Sequence, residues 1–468
     1  HRDLHSFPTR RSSDLAVILL TVLPVVAAWS AQLSFVLDAP TNREEEARMI
    51  ASQLTAVGIQ VAVKVHDPSD LKEIAQKGLG DAYLTDWGSS FFDPYDLVVP
   101  KLTTGARDNY SSYSNPRVDE LLALAASSAD STKRAEAYRE VQEILFHQCP
   151  WVFGYLAPRF EAVATSVEDY VPSLDGRINL HDVQLLEGDT LVVALDTDAV
   201  SSLDPAAYRG RETETVIRNL FDGLVTRTSE GKVVPELAER VTQVDPTTYV
   251  AKLRRGPTFH NGAPVTVEDV VFTFQRVLNP YGVYGSPSPR RDLLGPLERV
   301  EAAGPDEVRF VLGRSFPLFP QALVHFQIVC KNAMEQPGGK GALQSPVGTG
   351  PFRFVSGLLD KEVVMERFES YYGGSPDLPP VGPARVRRAV FRPLPHETRR
   401  IEALGAGAAH IVQGISPRHI EAVERTRKAR VLAVEGTRSC HIELNNARAP
   451  FNDIRARKAL SLAVDWRA

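Results

Sequence analysis

Hydrophobic and polar positions along this chain follow two rhythms, one of period two and one near 3.6. Residues 33–37 (LSFVL) are a short apolar run that predicts a strand. Thr41 and Glu44 have the spacing of a capping box, which predicts a helix starting just after Thr41. Met49, Ile50, Leu54 and Val57 continue it as one apolar stripe, and Gly58 predicts its end. Residues 59–65 then alternate, with Ile59, Val61, Val63 and Val65 on one face. This is a strand–helix–strand unit. Residues 81–98 begin as a strand and turn at Asp93-Pro94. Ser114 caps a helix with Pro116 in its first turn and Val118, Leu121, Leu122 and Leu124 on its apolar side. A second amphipathic helix spans 131–146, an apolar strand spans 149–156, and 171–180 is loop-rich.

The pattern restarts after Gly188-Asp189. Residues 190–196 predict a strand, Glu212–Leu224 a helix, and the stretch from Tyr249 to Thr266 a hairpin. Thr266 and Asp269 cap a helix carrying Val270, Val271, Phe274 and Leu278. Strand patterns follow at 304–312 and 346–355, and helical ones at 401–412 and 454–466. There is no short repeat and no low-complexity tract. Strands interleaved with helices over 468 residues predict an α/β protein of two or three domains.

Charge and composition narrow the function. A net charge of −5 argues against a nucleic-acid partner, which requires a basic face. The three cysteines, Cys149, Cys330 and Cys440, are far apart and form no zinc motif or disulfide framework. Eleven histidines show no HExxH spacing, and Pro337–Gly341 lacks the spacing of a phosphate-binding loop. No nucleophile motif supports a hydrolase, so the expectation is a non-enzyme without cofactor or metal.

The first residues need separate treatment. Residues 5–15 (HSFPTRRSSDL) read like the translation of a sequencing adapter, so 1–15 are set aside. Residues 16–31 carry no charge and end in Ser30-Ala31, as a secretory signal or membrane segment does. A buried core segment and frame-shifted sequence are the other readings.

Seven blocks after residue 189 together resemble the family 5 extracellular solute-binding proteins, the oligopeptide-, dipeptide- and nickel-binding type. They are Ser202–Pro205, Asn219–Val225, Gly231–Glu239, Leu253–Leu278, Pro346–Val355, Ile401–Val412 and Leu444–Trp466. Residues 32–187 resemble the C-terminal third of the same family, through Val57–Val63, Asp86–Leu97, Tyr113–Leu122, Arg134–Leu145 and Pro150–Leu156. The C-terminal third therefore precedes the N-terminal two thirds. A tandem pair cut at both ends, a chimera of neighbouring genes and a true circular permutant all fit this order.

The resemblance implies a two-lobed periplasmic-binding-protein fold with an extra small domain. It assigns 32–187 mostly to one lobe and 188–468 to the other, with the small domain at about 233–345. It further implies a monomer working outside the cytoplasmic membrane, in the periplasm or at the cell surface. There it would capture a small or peptide-like solute for ABC permease subunits and their ATPases. The alternative is a ligand-sensing module fused to a membrane signalling protein. In peptide-binding relatives the residue three after the tryptophan of the 86–93 loop is an aspartate that pairs with the ligand's ammonium group. Here it is Ser90, which makes ordinary peptides doubtful and favours neutral polar ligands stacked on Trp87. Phe91, Asn109 and Tyr155 match cleft positions of relatives, as does the Val200-Ser201-Ser202 loop, where Asp204 is expected to be structural. Ser439-Cys440-His441 stand where peptide binders tend to carry tyrosines, which again suggests another ligand; for His441 a metal ligand and an ordinary strand histidine are the competing readings, the latter the better one.

Overall fold

The computed structural model of the chain describes residues 33–336, 345–378 and 381–466. The adapter-like residues 1–15, the apolar run 16–31 and the Pro337–Gly341 loop lie outside them. Fourteen strands concern the site. They are β1 (Ser34–Pro40), β2 (Gln60–His66), β3 (Ala82–Gly88), β4 (Trp151–Ala164), β5 (Thr190–Leu195), β6 (Ala238–Asp245) and β7 (Thr248–Leu253). Then come β8 (Leu297–Ala302), β9 (Glu307–Leu312), β10 (Phe352–Leu358), β11 (Glu362–Arg367), β12 (Arg388–Pro393), β13 (Ile411–Val412) and β14 (Ala429–Leu444).

Ten of them form one mixed sheet in the order β10-β11-β12-β5-β13-β4-β14-β3-β1-β2. β1 and β2 pair in parallel because a helix, Glu44–Ala56, connects them and buries Ala47, Ile50 and Leu54. That helix does not start as the sequence predicts. Thr41–Arg43 make a 3-10 turn without a side-chain cap, and Arg43 instead pairs with Glu46 at 2.7 Å. Its end follows expectation: Gly58 has φ +86°, and Ile59 N donates to Leu54 O.

Two strands are long enough to run from one body of the molecule to the other. β14 pairs with β4 on both sides of a break between Val434 and Arg438. Residues 429–434 lie against 159–164, in a body whose core holds Val163, Leu191, Val193, Phe352 and Phe391. Residues 438–444 lie between β4 and β3, in a second body whose core joins Leu37, Leu54 and Leu84 to Ile442, Leu444 and Leu460. At the break, a Cβ on Gly436 would come within 1.6 Å of the Ala157 carbonyl, so only glycine allows this approach. The early and late parts of the chain thus share one sheet and contribute together to both cores, within a two-lobed α/β fold.

A separate antiparallel sheet, β6-β7-β9-β8, packs on the helix Val267–Leu278 around Phe259, Phe274 and Phe310. The Thr266–Asp269 capping box forms in both directions, as its sequence predicts. The hairpin partner of β7 is β6, which precedes it, and not the residues up to Thr266. The helix expected to reach Leu224 stops at Leu220. Asn115, not Ser114, caps the helix Pro116–Ser127, its side chain accepting from Arg117 N and Val118 N. Among the described residues no helix is long and apolar enough to cross a membrane.

Candidate functional site

The loop after β3 leaves its own body and seats on the core of the small sheet. Phe91 is 6% exposed and is surrounded by Tyr95, Phe316 and His325 at ring separations of 6.0–6.3 Å. Ser90 accepts a hydrogen bond at its carbonyl from His325 Nε2 (3.1 Å), when that nitrogen carries the proton. Phe92 lies with its ring 4.7 Å from the Arg227 guanidinium and its φ at +56°, a left-handed value uncommon outside glycine. The loop therefore bridges two parts of the structure through backbone, ring and cation contacts.

One carboxylate holds this loop in shape. Asp96 accepts from Ser89 Oγ at 2.7 Å, from Phe91 N at 2.9 Å and from Ser90 N. Burial pushes the Asp96 carboxyl up, and these donors oppose the shift. The other two acids of the loop are also engaged. Asp86 pairs with Arg438, and Asp93 pairs with Arg134 at 2.6 Å while capping Tyr95 N at 2.9 Å. Trp87 lies at the base, donating its Nε1 proton to the Asp96 carbonyl at 2.6 Å, with Lys101 Nζ 5.0 Å from the ring centre.

Beneath the loop is a buried polar cluster. Glu214 faces His325 Nδ1 at 3.3 Å, and Arg177 pairs with Asp175. Burial pushes the Glu214 carboxyl up, but His325, Arg290 and Arg177 outweigh it and hold it well below the usual range. Burial lowers the His325 imidazole, and Glu214 offsets only part of that. Burial and the neighbouring Arg177 pull Arg227 down to about 10. A second cluster lies across the sheet. Lys101 Nζ meets Glu443 at 2.6 Å, both fully buried, with Thr85 Oγ1 donating to the same carboxylate at 2.9 Å. Among the described residues no group of three or more His, Cys, Asp and Glu side chains is placed to hold a metal ion.

The sequence profile of the bacterial extracellular solute-binding proteins, family 5 middle region, matches residues 232–468, half of the chain. The chain belongs to this family. It is 28% identical over 302 residues to the periplasmic oligopeptide-binding protein OppA of Salmonella typhimurium, covering 60% of this chain and 54% of that one. It is 26% identical over 268 residues to the glutathione-binding protein GsiB of Pectobacterium atrosepticum, covering 57% and 50%. Among solved structures it resembles the ABC transporter substrate-binding protein CtaP of Listeria monocytogenes, at 27% identity and a TM-score of 0.44 over 51% of this chain and 47% of that one. The chain spans about half the length of the curated relatives it matches.

Within this family 5 chain the residues singled out from sequence do not gather in one place. Trp87, Ser90 and Phe91 share the bridging loop. Val200 is in the core, and Ser201 and Ser202 hold their own turn. Ser201 Oγ donates to Arg209 O at 2.9 Å, and Ser202 Oγ accepts from Asp204 N at 3.0 Å. Asp204 is structural, fully buried and paired with Arg276 at 2.6 Å. Asn109 organises a distant loop, donating to Thr103 O and Tyr113 O and accepting from Ser111 Oγ. Tyr155 is 41% exposed beside Glu46 and Trp466. His441 is fully buried in β14, stacked on Trp151 at 4.3 Å and 3.5 Å from Glu443.

Sequence reasoning missed Asp96, Lys101, Arg227, Arg290 and His325. Lys101 had a signal, one cation in the otherwise apolar run Leu97–Leu102. The rest come together only through the tertiary fold.

Proposed function

We propose that this chain is the extracytoplasmic solute-binding component of an ABC-type importer. It takes a small or peptide-like solute between its two bodies and hands it to permease subunits powered by cytoplasmic ATPases. The observation that carries this reading is the 89–93 loop, which leaves β3 and closes on His325 and Arg227 of the neighbouring body. β4 and β14, interrupted near Gly436, are the connection about which such closure would turn. Relatives named for oligopeptide and glutathione binding support the same role. On this reading the chain acts in the periplasm or at the cell surface as a monomer. Residues 32–187 supply the C-terminal portion of a binding module ahead of its N-terminal portion.

The solute on this reading lacks a buried ammonium group. Asp86, Asp93 and Asp96 are each committed to a partner inside the protein. An ammonium placed beside Ser90 would lose its hydration without gaining a free carboxylate, at several kcal/mol. Calorimetry of the purified chain against a peptide mixture and an oligosaccharide panel tests the role. Saturable binding of at least one solute class is expected. No binding to any class, together with recovery of the complete natural gene product only in the cytoplasm, would remove the importer reading.

A further inference from the structure

Two guanidinium groups under the 89–93 loop are buried with no carboxylate in ion-pair contact among the described residues. Arg227 and Arg290 are 5% and 6% exposed. Their hydrogen bonds go to carbonyls, Arg227 Nη2 to Gln321 O at 3.4 Å and Arg290 Nη2 to His325 O at 2.8 Å. Arg227 Nε and Nη1 and Arg290 Nε have no acceptor among the described residues. Aromatic faces cover what remains: Phe92 lies 4.7 Å from Arg227, and Tyr208 lies 3.7 Å from Arg290. Other buried arginines of this chain are matched differently, Arg276 by Asp204 at 2.6 Å and Arg400 by Asp196 at 2.7 Å.

The nearby acids Glu214 and Asp175 act on these arginines only from beyond ion-pair contact. Glu214 is engaged with His325, and Asp175 with Arg177. A buried cation with no carboxylate in contact and without a full set of acceptors is costly to the fold. Both arginines also adjoin His325, the residue on which the bridging loop sits through the Ser90 carbonyl. The ring over Arg227 belongs to Phe92, the loop residue held in a left-handed conformation. An incoming group that moved this ring aside would meet donors already in place.

We propose that Arg227 and Arg290 form an oxyanion-recognising subsite covered by the 89–93 loop, so that the captured solute carries a carboxylate or phosphate. This rests on the solute-binding reading above. Guanidinium groups present planar pairs of N–H donors that match such oxyanions.

Thermal unfolding of the full chain, at ionic strength matched with sodium chloride, tests it. The probes are N-acetyl-dialanine, its C-terminal amide and inorganic phosphate. The free acid should raise the unfolding midpoint of the wild type while the amide should not. The gain should vanish in Arg227→Met and Arg290→Met and persist in part in Arg227→Lys. A matching gain with phosphate marks a general oxyanion site, and its absence restricts the site to carboxylates. Equal midpoints with acid and amide, or a gain unchanged in both methionine variants, would overturn the proposal. Should one methionine variant not fold, the other and Arg227→Lys still decide. Calorimetric binding of a neutral solute without any oxyanion effect would defeat this inference and leave the importer reading standing.

Discussion

Two of the buried cationic sites of this molecule are built on opposite plans. Across the sheet, Lys101 meets Glu443, Thr85 adds a hydrogen bond to the same carboxylate, and the Tyr110 ring lies 3.6 Å from the ammonium. Every charge there has an opposite charge, and the site belongs to the framework. Under the 89–93 loop, Arg227 and Arg290 are in contact with carbonyls and aromatic faces but with no carboxylate. The loop above them has its own acids already committed to Arg438, Arg134 and backbone amides. The difference separates charge that stabilises a fold from charge left free to meet something else.

The comparison is easiest to break at Lys101. Lys101→Met leaves Glu443 buried and uncompensated, which should lower stability by about 3–5 kcal/mol in urea unfolding. A loss below ~1 kcal/mol would mean that the pair is not an ion pair in the folded state. Asp96→Ala removes the acceptor of three donors in the loop and should cost about 1–3 kcal/mol. Amide exchange at residues 89–93 should rise in that variant, and unchanged exchange would deny Asp96 its role as the clamp.

Acid should act on the unpaired side through His325 and Glu214. His325 is held below its ordinary 6.5, so below that pH the unfolded chain takes up a proton that the folded chain refuses. Glu214 is held well below 4.5, so the unfolded chain also binds protons first there. Both signs are the same: stability is lost as pH falls, beginning near 6.5 and steepening below 4.5. His325→Gln should remove the upper part of that loss, and a denaturation series from pH 7 to pH 4 on both proteins would show whether it does. The smallest effect is expected for Arg227→Met. Replacing a cation that has no carboxylate in contact by an apolar side chain should change stability by no more than ~1 kcal/mol, in either direction. A loss as large as that of Lys101→Met would show that Arg227 is framework after all.

What the sequence made legible follows from the range of the interactions. The strand–helix–strand unit, the Gly58 stop and the Thr266–Asp269 box depend on neighbours a few residues apart, and they form as read. The Thr41 box does not form: Thr41 lies inside a 3-10 turn, and its partner Glu44 pairs with Arg48 at 2.6 Å. Trp87, Ser90 and Phe91 were legible as one loop through family resemblance. The groups under that loop were not, because His325 lies 235 residues from Ser90 in the chain. The same holds for Glu443, which meets Thr85 from 358 residues away. No pattern of period two or 3.6 reports such a pairing.

The most direct test of the account is isothermal calorimetry with a peptide series and the same peptides N-acetylated. With Asp86, Asp93 and Asp96 all engaged inside the protein, no carboxylate of the loop is left to meet an ammonium group. Acetylation should therefore leave any peptide affinity unchanged or improve it. Micromolar or tighter binding that is lost on acetylation would contradict the account, because it would require a counter-charge that the loop does not have.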